Sequence, residues 1–493
     1  MSRPLSEPEL VRFCETVGAE AARVARVAAA ADDLFSQTPH LHGLTKTVRP
    51  LLGVAAAVRQ AARRGRLQGA MRACLPELTA FERRLALAAA GEPVAARGGG
   101  NGRGALEREI ARRMAALLAL AEAATLSGAH DATFAAALDD GRELELLVTG
   151  GEAVRESVAA VKAALPGWNA LMARPLRTAA LYAGKPLPSP AAPNATLAAV
   201  ARRTLQTHWE AFTSRLYGIG CRDDIEFVHE LRVALRRLRA ALRVFKAAID
   251  GLASALLGEL KRLADALGRV RDADVFLAFL RRRVAAAPEE QRTFLRGLER
   301  AERRRRGRFF RAMLEAFESP EFAGFRERFD PVLTGRGAEE GLHALARGDE
   351  PAARHAPRAL RKRLKSAARL GRGLARASAA RQHALRIACK KLRYTAEFFA
   401  ALYPRGLAAV IEPMALMQEA LGDVHDADVY RERVIRYHAY RKAEAHEPAT
   451  ARAVDTVLEF LRSQRGEALR RALDVWRSFT KGKKARKAIK AIL

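Results

Sequence analysis

The sequence is poor in the features that mark several common protein classes. Its four cysteines are scattered without a CxxC pair, so neither a disulfide framework nor a zinc site is expected. No apolar run approaches the roughly 20 residues that a membrane-spanning helix needs. Charged residues interrupt the first twenty positions, which do not resemble a signal peptide. These absences predict a cytoplasmic protein that does not insert into a membrane.

Aromatic residues are also scarce, at 6% of the 493 residues. Alanine, leucine and arginine dominate instead, and these side chains lose little freedom in a helix. A hydrophobic share of 49% beside 29% charged residues is typical of a folded globular chain. We therefore predict an all-α fold.

Acidic residues are too few to balance the basic ones, above all in the second part of the chain. Residues 1–190 hold 24 Lys and Arg against 19 Asp and Glu, whereas residues 191–493 hold 62 against 36, and the formal net charge is +31. Such an excess implies a polyanionic partner, whether nucleic acid, an anionic membrane surface or a phosphate polymer. A basic surface that only faces solvent is the alternative.

Two irregular segments divide the chain. The glycine-rich RGGGNGRG at residues 97–104 is a flexible break, and the proline-rich PLPSPAAPN at residues 186–194 is a linker that cannot continue a helix. In the N-terminal half, the one clear strand pattern is RELELLVTG at residues 142–150. The predicted regions are helices over 1–95, a second segment over 105–182, a linker over 183–196, a tandem helical domain over 197–480 with halves at about 197–340 and 351–480, and a basic tail over 481–493.

Two sequence blocks recur at one offset of 154 residues. ALGRVRDADV at residues 266–275 matches ALGDVHDADV at residues 420–429 in eight of ten positions. HELRVALRRLR at residues 229–239 matches HALRIACKKLR at residues 383–393 in six of eleven positions, with three further Val/Ile or Arg/Lys exchanges. A shared offset indicates that one helical unit is used twice. We therefore expect two similar bundles of four-helix type.

The first HxLR block begins an amphipathic helix. Apolar residues recur at 3-4-3-4-3 spacing and predict a buried side, namely Val228, Leu231, Leu235, Leu238, Leu242 and Phe245. One position further at each step, a basic row flanks that seam: His229, Arg232, Arg236, Arg239, Arg243 and Lys246. At a rise of about 1.5 Å per residue the row presents a cation about every 5 Å, which suits a linear polyanion.

The second copy keeps this pattern over a shorter length. Its core residues are Leu385, Cys389, Leu392 and Phe399, and its basic row is His383, Arg386, Lys390 and Arg393. Glu397 and Ala400 stand where the first copy has Arg243 and Lys246. Long Arg side chains can also lie beside a core and face solvent. The recurrence of basic residues at the same spacing favours a binding function.

The histidines and the acidic pairs have simpler interpretations than metal binding. His229 and His383 each lack a second imidazole nearby in the sequence, so we expect them to donate hydrogen bonds to phosphate, with a structural role as the alternative. In the DADV blocks, carboxylates two positions apart diverge by about 200° on a helix and cannot readily share one cation. We expect the acids of these blocks to orient the arginines of the basic rows, namely Asp272, Asp274, Asp426 and Asp428. We expect Arg271 and His425 to add to the cationic lining of the site. No metal, cofactor or catalytic residue is predicted.

The HxLR helices and the paired DADV blocks resemble the CHAD family, the conserved histidine α-helical domain, over roughly residues 197–480. The resemblance implies an all-helical domain of two similar bundles facing a basic cavity or groove. It also implies binding of inorganic polyphosphate and targeting to polyphosphate granules. The binding positions that it implies are His229, Arg232, Arg236, Arg237 and Arg239 in the first copy and His383, Arg386, Lys390, Lys391 and Arg393 in the second.

Many CHAD domains follow a CYTH domain, a β-barrel triphosphate tunnel with an ExExK motif. This chain has no ExExK near its start and lacks the expected succession of strands. The strand pattern at residues 142–150, followed by a helix and a linker, resembles the closing part of such a domain, so we expect a degenerate remnant. Triphosphatase activity is therefore not expected.

The sequence thus predicts a non-enzymatic polyphosphate-binding protein whose two helical halves line one cationic channel. A basic nucleic-acid-binding protein is the main alternative, although no helix-turn-helix, zinc finger or aromatic stacking platform is recognisable. A phosphohydrolase that uses the N-terminal region is disfavoured, because that region has no carboxylate cluster for Mg²⁺.

Overall fold

The computed structural model describes most of the chain. The described residues are 6–92, 103–125, 133–139, 144–150, 154–172, 176–182, 195–222, 224–249, 252–334, 350–403, 407–441 and 448–482. The glycine-rich break before residue 103, the proline-rich linker before residue 195 and the basic tail after residue 482 lie outside the described residues. The domain boundaries placed at those segments therefore stay predictions.

Within the described residues, eight α-helices precede the proline-rich segment. They are α1 (Glu7–Val17), α2 (Ala21–Gln37), α3 (Pro39–His42), α4 (Leu51–Arg59), α5 (Leu67–Cys74), α6 (Ala80–Ala89), α7 (Arg103–Ala124) and α8 (Val154–Asn169). Side chains cap the start of α6. At α6, the Thr79 hydroxyl accepts the N–H of Glu82 while the Glu82 carboxylate accepts the N–H of Thr79, which is a capping box.

Three strands form a small sheet in the same part of the chain. They are β1 (Thr133–Asp139), β2 (Leu144–Gly150) and β3 (Leu176–Tyr182), in the order β1-β2-β3. β1 runs antiparallel to β2, and β2 runs parallel to β3 with α8 as the crossover. The strand predicted at residues 142–150 is confirmed as β2. The sequence does not predict β1 and β3, because TFAAALD and LRTAALY are rich in alanine and poor in β-branched residues.

The second half of the chain is helical throughout its described residues. Its α-helices are α9 (Leu197–Thr213), α10 (Glu226–Val244), α11 (Leu252–Ala286), α12 (Glu289–Glu318), α13 (Pro320–Thr334), α14 (Ala352–Gly371), α15 (Ala379–Phe398), α16 (Ala408–Tyr440) and α17 (Pro448–Lys481). The predicted all-α fold with a mostly helical N-terminal region is confirmed.

Helices α9 to α12 recur as α14 to α17. The first residues of corresponding helices are 153 to 159 positions apart. Thr196, just before α9, pairs with Pro351, just before α14, in an antiparallel bridge. The ring of Phe276 on α11 lies 4.8 Å from that of Tyr430, its counterpart on α16. Contacts between equivalent residues are what a two-fold relation between copies produces, so the tandem architecture is confirmed.

The chain divides into two compact units. The first contains residues 1–190 and 206–234, and the second contains residues 191–205 and 235–493. Phe13, Leu34 and Trp168 are fully buried in the core of the first unit. A core of the second unit lies along α11, α12, α16 and α17. Helix α10 begins in the first unit and ends in the second.

Within the first unit, the N-terminal helices pack against the connection between α9 and α10. Thr45, shortly after α3, donates its hydroxyl to Asp224 at 2.6 Å. Gly43 has a φ of +63°, and a Cβ there would lie 2.1 Å from the backbone oxygen of Ser214. The N-terminal region is therefore part of the same folded unit as the start of α10.

Replacing Gly43 with alanine should destabilise the first unit. The added Cβ would meet the Ser214 oxygen, and a left-handed residue other than glycine is itself strained, so we expect a loss of at least about 1–3 kcal/mol. Thermal unfolding followed by circular dichroism measures the effect. Gly69→Ala in α5 is the control, because a Cβ there meets nothing within 4 Å and alanine favours a helix. Equal melting temperatures for the two variants would contradict the close packing at Gly43.

Candidate anion-binding site

Helix α10 carries the first basic row beside a buried seam. All six predicted core residues are buried: Val228, Leu231, Leu235, Leu238, Leu242 and Phe245. Of the basic row, Arg243 and Lys246 are exposed, and the members before them are partly buried. Burial of the seam therefore places the row at the edge of the core, where the aliphatic stems are covered and the charged heads can reach a ligand.

Helix α15 repeats this arrangement in the second copy. It begins at Ser378, whose hydroxyl accepts the N–H of Arg381. The predicted core residues are buried: Leu385, Cys389, Leu392 and Phe399. Burial raises the pKa of the Cys389 thiol to about 12, so this residue remains a neutral thiol and behaves as a small apolar side chain.

The two basic helices meet near their C-terminal ends, within the second unit. Phe245 and Phe399 are equivalent residues of the two copies, and their rings lie 5.5 Å apart in an edge-to-face arrangement. Beside them, Glu397 Oε2 lies 3.2 Å from Arg237 Nη2, and Glu397 Oε1 lies 3.3 Å from Arg393 Nε. One carboxylate thus holds one predicted binding arginine from each copy.

Tyr394 supports the arginines at this crossing. The guanidinium carbons of Arg236, Arg237 and Arg393 lie 5.9, 5.7 and 5.2 Å from its ring centre, within the range of cation–π attraction. Tyr394 is only 2% exposed, and its hydroxyl has no hydrogen-bond partner among the described residues. A buried ring of this kind fixes the positions of the guanidinium groups around it.

A second cluster of arginines lies further along α10. Burial, followed by the charge of Arg243, lowers the pKa of Arg239, although Asp265 acts in the opposite sense. Partial desolvation of the otherwise exposed Arg243, followed by the charge of Arg363 on α14, lowers the pKa of Arg243. The Nε of Arg239 is buried and finds no hydrogen-bond partner within the described residues. Two helices therefore hold three cations close enough to repel one another, an arrangement that an anion would relieve.

A third cluster combines imidazoles with cations on α15 and α16. The rings of His383 and His425 lie 4.7 Å apart, and a Cβ on Gly422 would lie 3.7 Å from Arg386 Nε. Partial burial, then the neighbouring His425, Arg386 and Lys390, lowers the pKa of His383. The sequence has no second imidazole near His383, and the packing of α16 on α15 supplies one, His425, from a distant part of the sequence.

The acidic residues of the DADV blocks hold other arginines than expected. Asp274 accepts a hydrogen bond from Arg306 Nε at 2.7 Å, and Asp428 accepts one from Arg465 Nε at 2.7 Å. Arg306 and Arg465 belong to α12 and α17, so these two carboxylates connect each DADV helix to the following helix. Arg465 also donates to the Gln382 side-chain oxygen at 2.9 Å. The prediction that Asp274 and Asp428 orient the basic rows is thus corrected.

The remaining predicted residues take up varied positions. His229 and Arg232 lie in the part of α10 that belongs to the first unit, whereas the other predicted binding residues lie in the second unit. Lys391 and Asp272 are exposed, and Arg271 and Asp426 are partly buried.

Three residues at the site are absent from the predicted set: Arg363, Tyr394 and Glu397. The sequence signal for Arg363 is the stretch from residue 351 to residue 396, which has 14 Lys or Arg and no acidic residue. The signal for Glu397 is that an acid stands at the place of Arg243.

The fold and the site together define a tandem helical domain with a cationic surface. Residues 198–435 match the family model of the CHAD domain, a span that includes both HxLR helices and both DADV blocks. This part of the chain is a CHAD domain. Membership of this family supports a polyphosphate-related role in coarse terms.

Two solved structures are similar to the chain. The crystal structure of the CHAD domain from the plant Ricinus communis is 25% identical, with a TM-score of 0.45, and the alignment covers 62% of this chain and 97% of that one. PptA from Streptomyces chartreusis is 18% identical, with a TM-score of 0.45 and coverage of 57% and 100%. No curated protein matches the sequence. In the part of the chain that the structure describes, no helix is long and apolar enough to cross a membrane.

The imidazole pair should make stability depend on pH. Burial and nearby cations lower the pKa of both His383 and His425, with Asp272 and Asp428 opposing this at His425. The folded state therefore favours the neutral rings, and below the usual histidine pKa of about 6.5 the unfolded state binds more protons. The stability that these rings contribute is present above about pH 6.5 and is lost as the pH falls through the lowered values.

Thermal unfolding of the ligand-free protein at about pH 7.5 and pH 5.5, on either side of the usual histidine pKa, tests this prediction. Acidification should lower the melting temperature of the wild type by more degrees than that of the His383→Gln, His425→Gln double variant. Identical losses in the two proteins would show that the imidazoles do not titrate as described.

Proposed function

We propose that this protein binds inorganic polyphosphate through the cationic surface of its CHAD domain, and that it does so without catalysing a reaction. The observation that carries the proposal is the convergence of arginines from both repeats on one ring, since Arg236, Arg237 and Arg393 all lie within about 6 Å of the centre of Tyr394. Further along α10, burial and then a neighbouring arginine charge lower the pKa of Arg239 and of Arg243. Like charges held together raise the free energy of the ligand-free protein, and an anion placed among them removes that cost.

The arrangement of the cations suits a linear ligand. Along α15 the basic row runs from His383 to Arg393, ten residues or about 15 Å of helix. It ends at the crossing with α10, where Arg236 and Arg237 also lie. Arg239 and Arg243 continue from there toward Arg363. A flexible chain with a negative charge on every unit can contact successive clusters, and guanidinium groups bind phosphate oxygens through charge-assisted hydrogen bonds.

Granule association follows from the same chemistry. A protein with several phosphate-binding clusters on one surface gains affinity from each cluster that a single chain or a packed phosphate body occupies. We propose that this protein localises in the cytoplasm and concentrates on polyphosphate granules for that reason.

Comparison of ligands tests the proposal against nucleic acid binding. Long-chain polyphosphate and duplex DNA of matched charge are titrated in about 0.2 M salt, where sequence-independent phosphate contacts are already weakened. Polyphosphate should bind more tightly, and its affinity should fall as salt rises. Equal affinity for the two ligands would favour a general nucleic-acid binder instead.

Neutralising arginines of the site should weaken binding by at least about tenfold, the equivalent of about 1.4 kcal/mol. Arg239→Gln with Arg386→Gln removes one cation from each copy of the repeat. Arg358→Gln with Arg369→Gln is the control, because it removes the same charge from exposed positions on α14. Calorimetric titration gives the affinities and circular dichroism checks the helix content. Equal weakening by both pairs would mean that net charge, and not this surface, determines binding.

The absence of catalysis is tested by phosphate release. Long-chain polyphosphate and tripolyphosphate are incubated with the protein and Mg²⁺ or Mn²⁺, and free phosphate is measured colorimetrically. We expect no release above the rate without protein. Turnover that the Arg239→Gln, Arg386→Gln variant loses would show that the protein is a phosphohydrolase.

A further inference from the structure

We propose that Glu397 is an internal counter-anion, which occupies arginines of both repeats in the free protein and excludes single small anions from the crossing of α10 and α15. This inference rests on the proposed polyanion binding and names what determines its selectivity. A ligand that also contacts other basic residues of the surface can displace the carboxylate. An isolated anion cannot, because its contacts with the two arginines only replace those of the carboxylate.

The carboxylate lies between two of the arginines that are predicted to bind phosphate. One oxygen of Glu397 lies 3.2 Å from Arg237 and the other lies 3.3 Å from Arg393. A phosphate group with two of its oxygens toward the same guanidinium groups would have the same geometry and charge complementarity. A small anion that enters here therefore replaces one set of charge-assisted contacts with another of the same kind.

The repeat supports an active role for the acid. Glu397 lies 154 positions after Arg243, so the second copy has an anion at the place where the first copy has a cation. Arg243 lies in the crowded cluster with Arg239 and Arg363. At the equivalent place in the second copy, the charge of Arg393 is already balanced. The two equivalent positions therefore differ, because the first copy carries a cation there and the second copy carries an anion.

Partial burial makes the internal pairing strong enough to matter. The side chains of Glu397 and Arg393 are 23% and 17% exposed, and that of Arg237 is 36% exposed. Pairs on an open surface contribute little because water and salt screen them, but these charges are partly withdrawn from water. Tyr394 keeps the guanidinium groups in place, so they remain oriented for a phosphate when the carboxylate moves away.

The decisive variant is Glu397→Gln, which keeps the size of the side chain and removes the charge. Glu459→Gln is the matched control, because Glu459 also pairs with an arginine, Arg462, but at an exposed position on α17. Affinity for long-chain polyphosphate should rise about tenfold in Glu397→Gln and stay within about twofold of the wild type in Glu459→Gln, at about 0.15 M salt. An affinity that is unchanged or lower in Glu397→Gln would overturn the proposal. Such a result is expected if the carboxylate only holds the arginines in place, because its removal would leave them less ordered.

Sulfate provides a test that does not depend on polyphosphate. Without added anions, Glu397→Gln should melt at a lower temperature than the wild type, because two partly buried arginines have lost their partner. Sulfate should then raise the melting temperature of Glu397→Gln by several degrees more than that of the wild type or of Glu459→Gln. Equal sulfate shifts in all three proteins would count against an internal counter-anion.

The two experiments separate this inference from the proposed function. If the wild type fails to bind polyphosphate while sulfate still stabilises Glu397→Gln selectively, the proposed function is wrong and the counter-anion survives. If the wild type binds polyphosphate but Glu397→Gln gains nothing with either ligand, the inference alone is wrong.

Discussion

The contact between Phe245 and Phe399 is the constraint on which the candidate site depends. These equivalent residues end the buried seams of the two basic helices, and their rings lie 5.5 Å apart. Burial of large aromatic side chains is among the stronger contributions to a core, so it determines where α10 and α15 cross. Once the crossing is fixed, Arg237 of α10 and Arg393 of α15 lie close enough to share the Glu397 carboxylate. The hydrophobic effect thus brings together charges that would otherwise repel.

That repulsion has to be offset elsewhere in the second unit. The core along α11, α12, α16 and α17, with Phe276 against Tyr430, offers apolar burial. Paired charges such as Asp274 with Arg306 connect neighbouring helices. For Asp274, burial raises the pKa although the Arg306 hydrogen bond lowers it, so desolvation outweighs pairing there. Asp274 and Asp428 therefore connect helices of the scaffold that holds the cations.

The sequence was sufficient to predict the helices, the repeat and the basic rows, because each depends on local periodicity. Apolar residues at helical spacing face one side of a helix, and the repeat is recognisable from identical residues at a constant offset. Pairings across the fold were not accessible in this way. His425 approaches His383 only because α16 packs on α15, and Arg363 reaches Arg243 from another helix. The strands β1 and β3 were missed for a related reason, since alanine-rich segments acquire their conformation from the sheet and not from their own preference.

The departure from the repeat is more informative about selectivity than the repeat itself. Two identical basic rows would give a surface that any phosphate-bearing molecule could enter at either end. Because Glu397 stands at the place of Arg243, the crossing of α10 and α15 carries its own anion, and a ligand must supply enough contacts along the rest of the surface to displace it. Only a ligand with many linked phosphates can do so, because its later contacts are intramolecular and lose little further freedom. In the proposed function, duplication therefore provides the affinity, and the exchange of Arg243 for Glu397 between the copies provides the requirement for a polymer.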